Sequence, residues 1–395
     1  MLLKTRKNKY LKLFLLSLPL TFVADKIRSF SLLLIVPLFL ISFEKEAIKR
    51  LLNAKVILIG GLVIVLALIF LGPKVYERVV SVNSGYNASE SIFYNPFFQY
   101  PTGLTKYFQL LWLPTDLTLY HTMYTLPVWL NWAVFLAYLG ALAYFFMRNK
   151  SYFFALAFIV AGVLPSMMPV KVSWLVAERY IFLGSFGFAL LIGLLLRDIW
   201  DKRSLVAVAI LAVGLVLGST RIYLRNIDWQ TNHNLWVNTC QVSPNSHNAW
   251  NNIGDDYDKL ADYENAIKGF TQSTLVKPNY ADAFHNRANI FFKIGRLDLA
   301  RDSYNTALYF SPNLYQTYIS LTQIDLIEKR MDLAVNHAQE AAKLQPSNPQ
   351  TGYVLGVVYA QAGRKDEAIG VLKSVVGAYP DYQPAREALN NLLVQ

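Results

Sequence analysis

The sequence predicts an all-α protein in two unlike parts. Residues 1–228 read as a polytopic helical membrane domain of about seven spans, and residues 229–395 as an α-solenoid of paired helices. Three observations predict this. Hydrophobic residues make up 54% of the 395 and charged residues only 16%, where a soluble globular chain carries about a quarter charged residues. Long apolar runs crowd the first part, and prolines recur at a fixed period in the second. Charge divides in the same way. Residues 1–228 hold 23 Lys and Arg against 10 Asp and Glu, a net of +13, and residues 229–395 hold 14 against 16, a net of −2. With a mean hydropathy of +0.30, disorder, collagen and a wholly soluble enzyme are poor fits. The positive excess belongs to the apolar part, so it is read as a topology signal and not as a nucleic-acid surface. The single cysteine, Cys240, excludes an intramolecular disulfide framework.

Seven apolar segments carry the membrane reading: residues 11–24, 30–43, 56–72, 126–147, 152–170, 180–196 and 204–220. A straight spanning helix needs about 20 apolar residues, which the last five reach or approach. The first two are short and flank Asp25-Lys26-Ile27-Arg28, as two tilted spans or a re-entrant hairpin. Lys4, Arg6, Lys7 and Lys9 precede the first run like the start of a signal peptide. Phe22 occupies the −3 position before Ala24, which points to an uncleaved anchor. Orientation follows the basic clusters. The N-terminus, Lys45 to Lys55, Arg148 with Lys150, and Arg197 with Lys202 and Arg203 all fall on one side. The positive-inside rule makes that side the cytoplasm and puts the C-terminal half outside, on an integral membrane protein. The longest outside loop, 73–125, is rich in aromatic residues and proline and suits an interfacial or re-entrant cover.

In the second part, prolines stand at 244, 278, 312, 346 and 380, four steps of 34 residues. That period marks a tetratricopeptide repeat, a helix-turn-helix unit. Trp250, Gly254, Tyr257, Ala266 and Phe270 fit its first copy, and Leu355, Gly356, Tyr359, Ala368 and Leu372 its fourth. About four full repeats are expected, opened by a degenerate helix at 229–243 and closed by a capping helix at 383–395. Such arrays present a concave recognition groove. Asn248, Asn251, Asp255, Asp258, Asp282, His285, Asn289, Gln316, Gln323, Gln350 and Tyr353 are the expected lining. That lining is polar and slightly acidic and lacks the Lys and Arg that clamp a peptide carboxylate. It suits an extended, partly basic or hydroxyl-rich polypeptide acceptor. The plain alternative is a spacer or a dimer surface.

Soluble catalytic signatures are missing: there is no P-loop, no GxGxxG after a strand and no G-x-S-x-G elbow. His121, His233, His247, His285 and His337 show no metal-ligand spacing and read as surface or groove histidines. The informative segment opens the sixth apolar run, Glu178-Arg179-Tyr180 through Ser185-Phe186-Gly187. An ionisable pair at the mouth of a membrane helix is costly and points to function. Arg179 offers a two-pronged fork for a phosphate, with Glu178 to orient it and Lys171 just upstream. Read as topology alone, Arg179 snorkels to headgroups among belt aromatics.

Glu178-Arg179-Tyr180 with Ser185-x-Gly187 resembles the (D/E)R-x-x-Y-x-P-S-x-G element of the transmembrane-and-tetratricopeptide protein O-mannosyltransferases and their bacterial relatives. Arg225-Asn226-Ile227-Asp228-Trp229, Leu235-Trp236, Ser243-Pro244-Asn245 and Asn252-Ile253-Gly254 resemble that family's passage from last span into repeats. Tyr107 through Leu117 resembles its extracytoplasmic loop, and the likeness covers residues 90–260. The resemblance implies a GT-C-type membrane domain that moves a sugar from a polyprenyl-phosphate carrier to a protein hydroxyl outside the cytoplasm. Two departures stand out. Gly184 replaces the family's proline. The family places an acidic catalytic residue in its first outside loop, whereas here that loop would be Asp25-Lys26-Ile27-Arg28, too small to build a sugar site or to assign Asp25 that role, so the chain resembles the carboxyl-side part of such an enzyme.

The implied chemistry needs a carboxylate base for the hydroxyl. It also needs cations or a divalent metal ion for the departing phosphate. Arg179, Glu178 and Lys171 fit only the second task. Two other readings stay open: a non-enzymatic membrane-anchored scaffold for envelope or secretion partners, and a relative of O-antigen polymerases or ligases.

Overall fold

The computed structural model describes residues 95–119, 121, 126–167 and 175–394, with Ile35, Leu38, Phe39, Ser42 and Phe43. The expected spans at 11–24, 30–43 and 56–72 lie outside the described residues apart from those five positions, as do Asp25 and Lys171. All regular structure among the described residues is helical. The chain divides into two compact units, Met1–Gln230 and Thr231–Gln395.

The first unit contains α1 (Pro96–Trp112), α2 (Val128–Arg148), α3 (Lys150–Val163) with a 3-10 turn at Leu164–Met167, and α4 (Glu178–Asp228). Helix α1 lies inside the long aromatic loop. It starts where Asn95 accepts a hydrogen bond from the Phe97 amide and Pro96 presets the first turn. Its Tyr107 is fully buried and donates to the Leu175 carbonyl at 3.2 Å. Asn149 separates α2 from α3, and its side chain caps α3 by accepting from the Ser151 and Tyr152 amides. Helices α2 and α4 are long and apolar enough to cross a membrane, where the sequence predicts about seven spans. Helix α3 has 14 residues, a length of about 21 Å against about 30 Å of hydrocarbon. It is shorter than the 152–170 span expected.

Helix α4 joins the expected sixth and seventh segments. It runs 51 residues, and its backbone breaks at Arg203, where φ is −149° and ψ 76°. A straight helix of that length would hold its ends about 75 Å apart. Instead Glu178 and Arg225 lie 3.0 Å apart, so the element folds back as a hairpin of two arms. Each arm is about 37 Å long, enough to cross the hydrocarbon layer. The first arm packs on α3 through glycine. A Cβ on Gly162 would sit 2.4 Å from the Gly184 nitrogen, and one on Gly187 2.7 Å from the Ile159 nitrogen. Small residues let membrane helices approach this closely. That gives Gly184, the departure from the family's proline, a packing role. The second arm leaves Leu205, Val213, Val216, Leu217 and Tyr223 exposed, a surface matched to acyl chains and not to water.

The second unit is a solenoid. A single helix, α5 (Asn232–Val242), precedes four helix pairs: α6 (His247–Lys259) with α7 (Tyr263–Val276), α8 (Ala281–Lys293) with α9 (Leu297–Phe310), α10 (Tyr315–Ile327) with α11 (Met331–Leu344), and α12 (Pro349–Gln361) with α13 (Lys365–Ala378). Helix α14 (Gln383–Val394) closes it. The turn inside each pair needs one left-handed residue: Ala261, Gly295, Lys329 and Gly363, 34 residues apart. The next amide then bonds back to the carbonyls of Tyr257, Phe291, Asp325 and Tyr359, a Schellman stop. Within each pair a small residue faces a larger one across the helices. Gly254 meets Phe270 and Gly356 meets Leu372, each with no room for a Cβ. In the third repeat the sizes reverse, with Thr322 against Ala338, which keeps the volume.

The third repeat also breaks the pattern. Asp325 stands where repeats one and four carry Tyr257 and Tyr359, and it is fully buried. Arg301, at the register of Ile267 and Ile369, meets it at 2.7 Å, and His337 lies 2.6 Å from its other oxygen. Arg301 also pairs with Glu328 at 2.6 Å. Arg301→Ile alone strands a buried carboxylate and is expected to cost roughly 3–5 kcal/mol. Arg301→Ile with Asp325→Tyr restores the register of the other repeats and should recover most of that loss. Denaturant unfolding of the repeat unit measures both, and a single variant as stable as the parent would contradict the account.

Candidate functional site

Two places gather polar side chains. The first is the mouth of the α4 hairpin, where its first and last turns meet the end of α1 and the loop after it. Here Arg225 pairs with Glu178 through two nitrogens, at 3.0 and 3.2 Å, and with Asp228 at 3.0 Å. Only 8% of the Arg225 side chain is exposed, and its guanidinium lies 5.5 Å from the Trp229 ring centre. The Thr118 amide also donates to Glu178. Arg221 donates to the carbonyls of Pro114 and Thr115, at 2.6 and 3.2 Å. The loop is thus held to the second arm.

Beside this clasp, Lys106 lies 2.9 Å from Asp116 and donates to Gln109 at 3.1 Å. Hydrogen bonds from Thr115, then from Lys106, hold the Asp116 carboxyl below its usual range. His121 is 4% exposed. Burial, reinforced by the Lys106 and Arg225 charges, pushes it down to about 4 and keeps the ring neutral. The surface or groove placement expected for this histidine is therefore corrected. It folds inward because the loop is tied down at both Glu178 and Arg221.

The predicted phosphate residues separate. Glu178 turns into the clasp. Arg179, next in sequence, is exposed, with its guanidinium 4.9 Å from the Tyr180 ring centre and 3.3 Å from its hydroxyl. Lys171 lies outside the described residues. The partner that sequence reasoning missed is Arg225. It is visible there as Arg225-x-x-Asp228 at the end of an apolar run, but 47 residues separate it from Glu178. Among the described residues no three His, Cys, Asp or Glu side chains are arranged to hold a metal ion.

The second place is the repeat groove. A pocket of about 350 Å³ opens among α6, α8 and α10. Four expected residues line it: Asn251, Asp282, His285 and Gln316. Tyr280, Asn286, Leu314 and Thr317 complete it and were not expected. Tyr280 and Leu314 carry a sequence signal, being 34 residues apart just before successive first helices. Asn286 donates to Asn251 at 3.1 Å, and His285 Nδ1 lies 2.8 Å from the Thr317 hydroxyl. Burial pulls the His285 pKa down. Asn248 flanks the pocket and accepts from the Tyr280 hydroxyl at 3.2 Å.

The other expected lining residues have different settings. Asp255 pairs with Lys259 at 2.5 Å and Asp258 with Lys293 at 2.7 Å. Asn289 accepts from the Tyr304 hydroxyl. Gln323 and Gln350 are exposed, and Tyr353 packs edge-on to Tyr382.

Tetratricopeptide repeat family models match residues 251–314 and 325–392. The repeat part is homologous at modest identity to protein O-mannosyl-transferases. Protein O-mannosyl-transferase TMTC3 of Mus musculus is 28% identical over 183 residues, 42% of this chain and 20% of the mouse protein. Tmtc1 of Drosophila melanogaster is 32% identical over 117 residues, 28% of this chain and 13% of that protein. The chain thus spans about a fifth or less of the curated relatives it matches. Among solved structures, YrrB, described as a TPR protein with an unusual peptide-binding site, is 16% identical with a TM-score of 0.35. It covers 49% of this chain and 96% of its own. MamA, also 16% identical, has a TM-score of 0.34 and covers 41% and 90%.

The clasp yields a test. Arg225→Met leaves Glu178 and Asp228 facing each other without a cation and is expected to destabilise the membrane unit by roughly 3–5 kcal/mol. Adding Glu178→Gln should return a large part of that loss. Thermal unfolding of the chain in nanodiscs reads both, and an unchanged midpoint in Arg225→Met would remove the clasp as a structural element.

Proposed function

We propose that this chain is a membrane glycosyltransferase, or the carboxyl-side part of one, of GT-C type. It moves a sugar from a polyprenyl-phosphate carrier to a protein hydroxyl outside the cytoplasm, and its repeats hold the acceptor. The observation that carries this reading is the homology of the repeat part to protein O-mannosyl-transferases, joined in one chain to helices apolar enough to cross a membrane. About seven spans are proposed, with the N-terminus inside and the repeats outside. The hairpin supports that orientation. Arg197, Lys202 and Arg203 stand at its bend, and Glu178 and Arg225 meet at the other end.

In the reaction the acceptor hydroxyl attacks the anomeric carbon, the bond from that carbon to the phosphate oxygen breaks, and the phosphate leaves with the electron pair. The hydroxyl proton passes to a carboxylate base. Glu178 is poorly free to act as that base because both of its oxygens are engaged by Arg225. Its work is to fix the mouth beside Arg179. Arg179 is exposed and, among the described residues, bonded only to its neighbour Tyr180, which leaves its fork for phosphate oxygens. The same engagement of Glu178 favours the second reading, a membrane-anchored repeat scaffold without catalysis.

Arg179→Ala should weaken polyprenyl-phosphate binding by roughly 1.5–3 kcal/mol, the worth of a hydrogen bond to a charged group. Arg179→Lys should recover only part, because an ammonium cannot reproduce the fork. Affinity in nanodiscs at fixed salt decides, and unchanged binding in Arg179→Ala would leave the scaffold. Topology has its own check. Alkaline phosphatase fused after Gln395 should be active, and an inactive fusion would reverse the orientation.

A further inference from the structure

We propose that the groove pocket recognises a lysine or arginine side chain within the extended acceptor segment, with Asp282 as the carboxylate that reads it. This deepens the acceptor-binding role proposed above and rests on it.

Charge pairing in the repeats points to Asp282. Asp255 and Asp258, on the preceding first helix, are matched to Lys259 and Lys293 at 2.5 and 2.7 Å. Asp282 is exposed at the pocket and has no cationic partner within 4 Å among the described residues. Its titratable neighbour His285 is held neutral at pH 7 by burial and is turned to Thr317, so it does not satisfy the carboxylate. Lys277 lies at the flank, 5.7 Å from the centre of the Tyr280 ring. No lysine or arginine is among the residues that line the pocket.

The rest of the lining suits a peptide backbone around that side chain. Asn286 spends one donor on the Asn251 oxygen. That leaves the Asn251 amide nitrogen, the Asn286 oxygen and the Gln316 amide without a hydrogen-bond partner among the described residues, at the pocket they line. A secondary amide asks for this alternation of donors and acceptors. Tyr280 and Leu314 give the apolar stem of a lysine or arginine a surface to lie on while its charged end reaches Asp282. The cavity, about 350 Å³, is at the small end of ligand sites, a size for one long side chain and its adjoining backbone.

The test uses the full chain in nanodiscs and fluorescent ten-residue Gly/Ser/Thr peptides that differ at one central position: lysine, norleucine or glutamate. The lysine peptide should bind about fivefold more tightly than the norleucine peptide, the size of a partly exposed ion pair, and the glutamate peptide more weakly than both. The preference should shrink at high salt. Asp282→Asn should abolish it while leaving norleucine-peptide affinity unchanged, and Asp366→Asn, on an exposed turn of the last repeat, should leave it intact. Equal binding of lysine and norleucine peptides, or a preference that survives Asp282→Asn, overturns the assignment. Sugar transfer and carrier binding, measured on the same samples, report on the transferase reading separately. Their loss with the preference retained sinks that reading alone.

Discussion

The first unit is closed by one ion pair. Glu178 and Arg225 stand near opposite ends of a helical element that, if straight, would hold them about 70 Å apart. The break at Arg203 turns a rod into a hairpin, and this contact closes its open end. At that end Asp228 and Arg221, with Pro114, Thr115 and Thr118 of the loop, are held by short bonds. The loop that follows α1 gains its shape this way, and His121 is carried inside with it. Breaking such a pair at a partly buried site costs more than the pair gains over apolar packing, so its first effect is on geometry. Arg179 profits from this indirectly. With Glu178 committed elsewhere, the arginine next to it has no carboxylate partner among the described residues.

The solenoid rests on a different constraint. A left-handed residue every 34 positions ends each first helix and starts its return. Glycine serves that turn twice. Ala261 and Lys329 adopt the same backbone at a steric cost that the flanking helix contacts cover. Given that turn, the remaining choice is volume, and Gly254 with Phe270 or Thr322 with Ala338 are two solutions to one spacing. The groove residues follow from register alone, which is why amides and Asp282 reach a common pocket from three helices.

That difference explains what was legible in the sequence. The proline period and the small residues report a local, repeated geometry, so the repeats, the opening helix and the cap could be placed from spacing. Four pocket residues could be named for the same reason. Tyr280 and Leu314 were missed because they precede the helices that carry the lining. The mouth was harder. Glu178 was visible as a charge at the end of an apolar run, and Arg225 as part of a junction. Nothing in a linear sequence says that residues 47 apart, separated by two apolar runs, close on each other. Gly184 looked like a missing proline, whereas its role is to let α3 come within contact of the α4 backbone.

Asp325 carries a consequence of another kind. In an array where each repeat touches only its neighbours, opening begins at the weakest junction. Helix α9 packs less extensively on α10 than α7 does on α8 or α11 on α12, and Arg301 with Asp325 and Glu328 stands where aliphatic contact holds the other seams. Apolar seams tolerate brief separation because they close again dry. This one admits water to charges that solvate readily. The thinner packing makes this seam the expected place for the array to open first, a property hydrogen exchange would read. The pocket at Asp282 straddles that seam, with Leu314, Gln316 and Thr317 on its far side. An occupant reaching across would bridge the seam, so the groove that reads the acceptor is built on the least densely packed junction of the array.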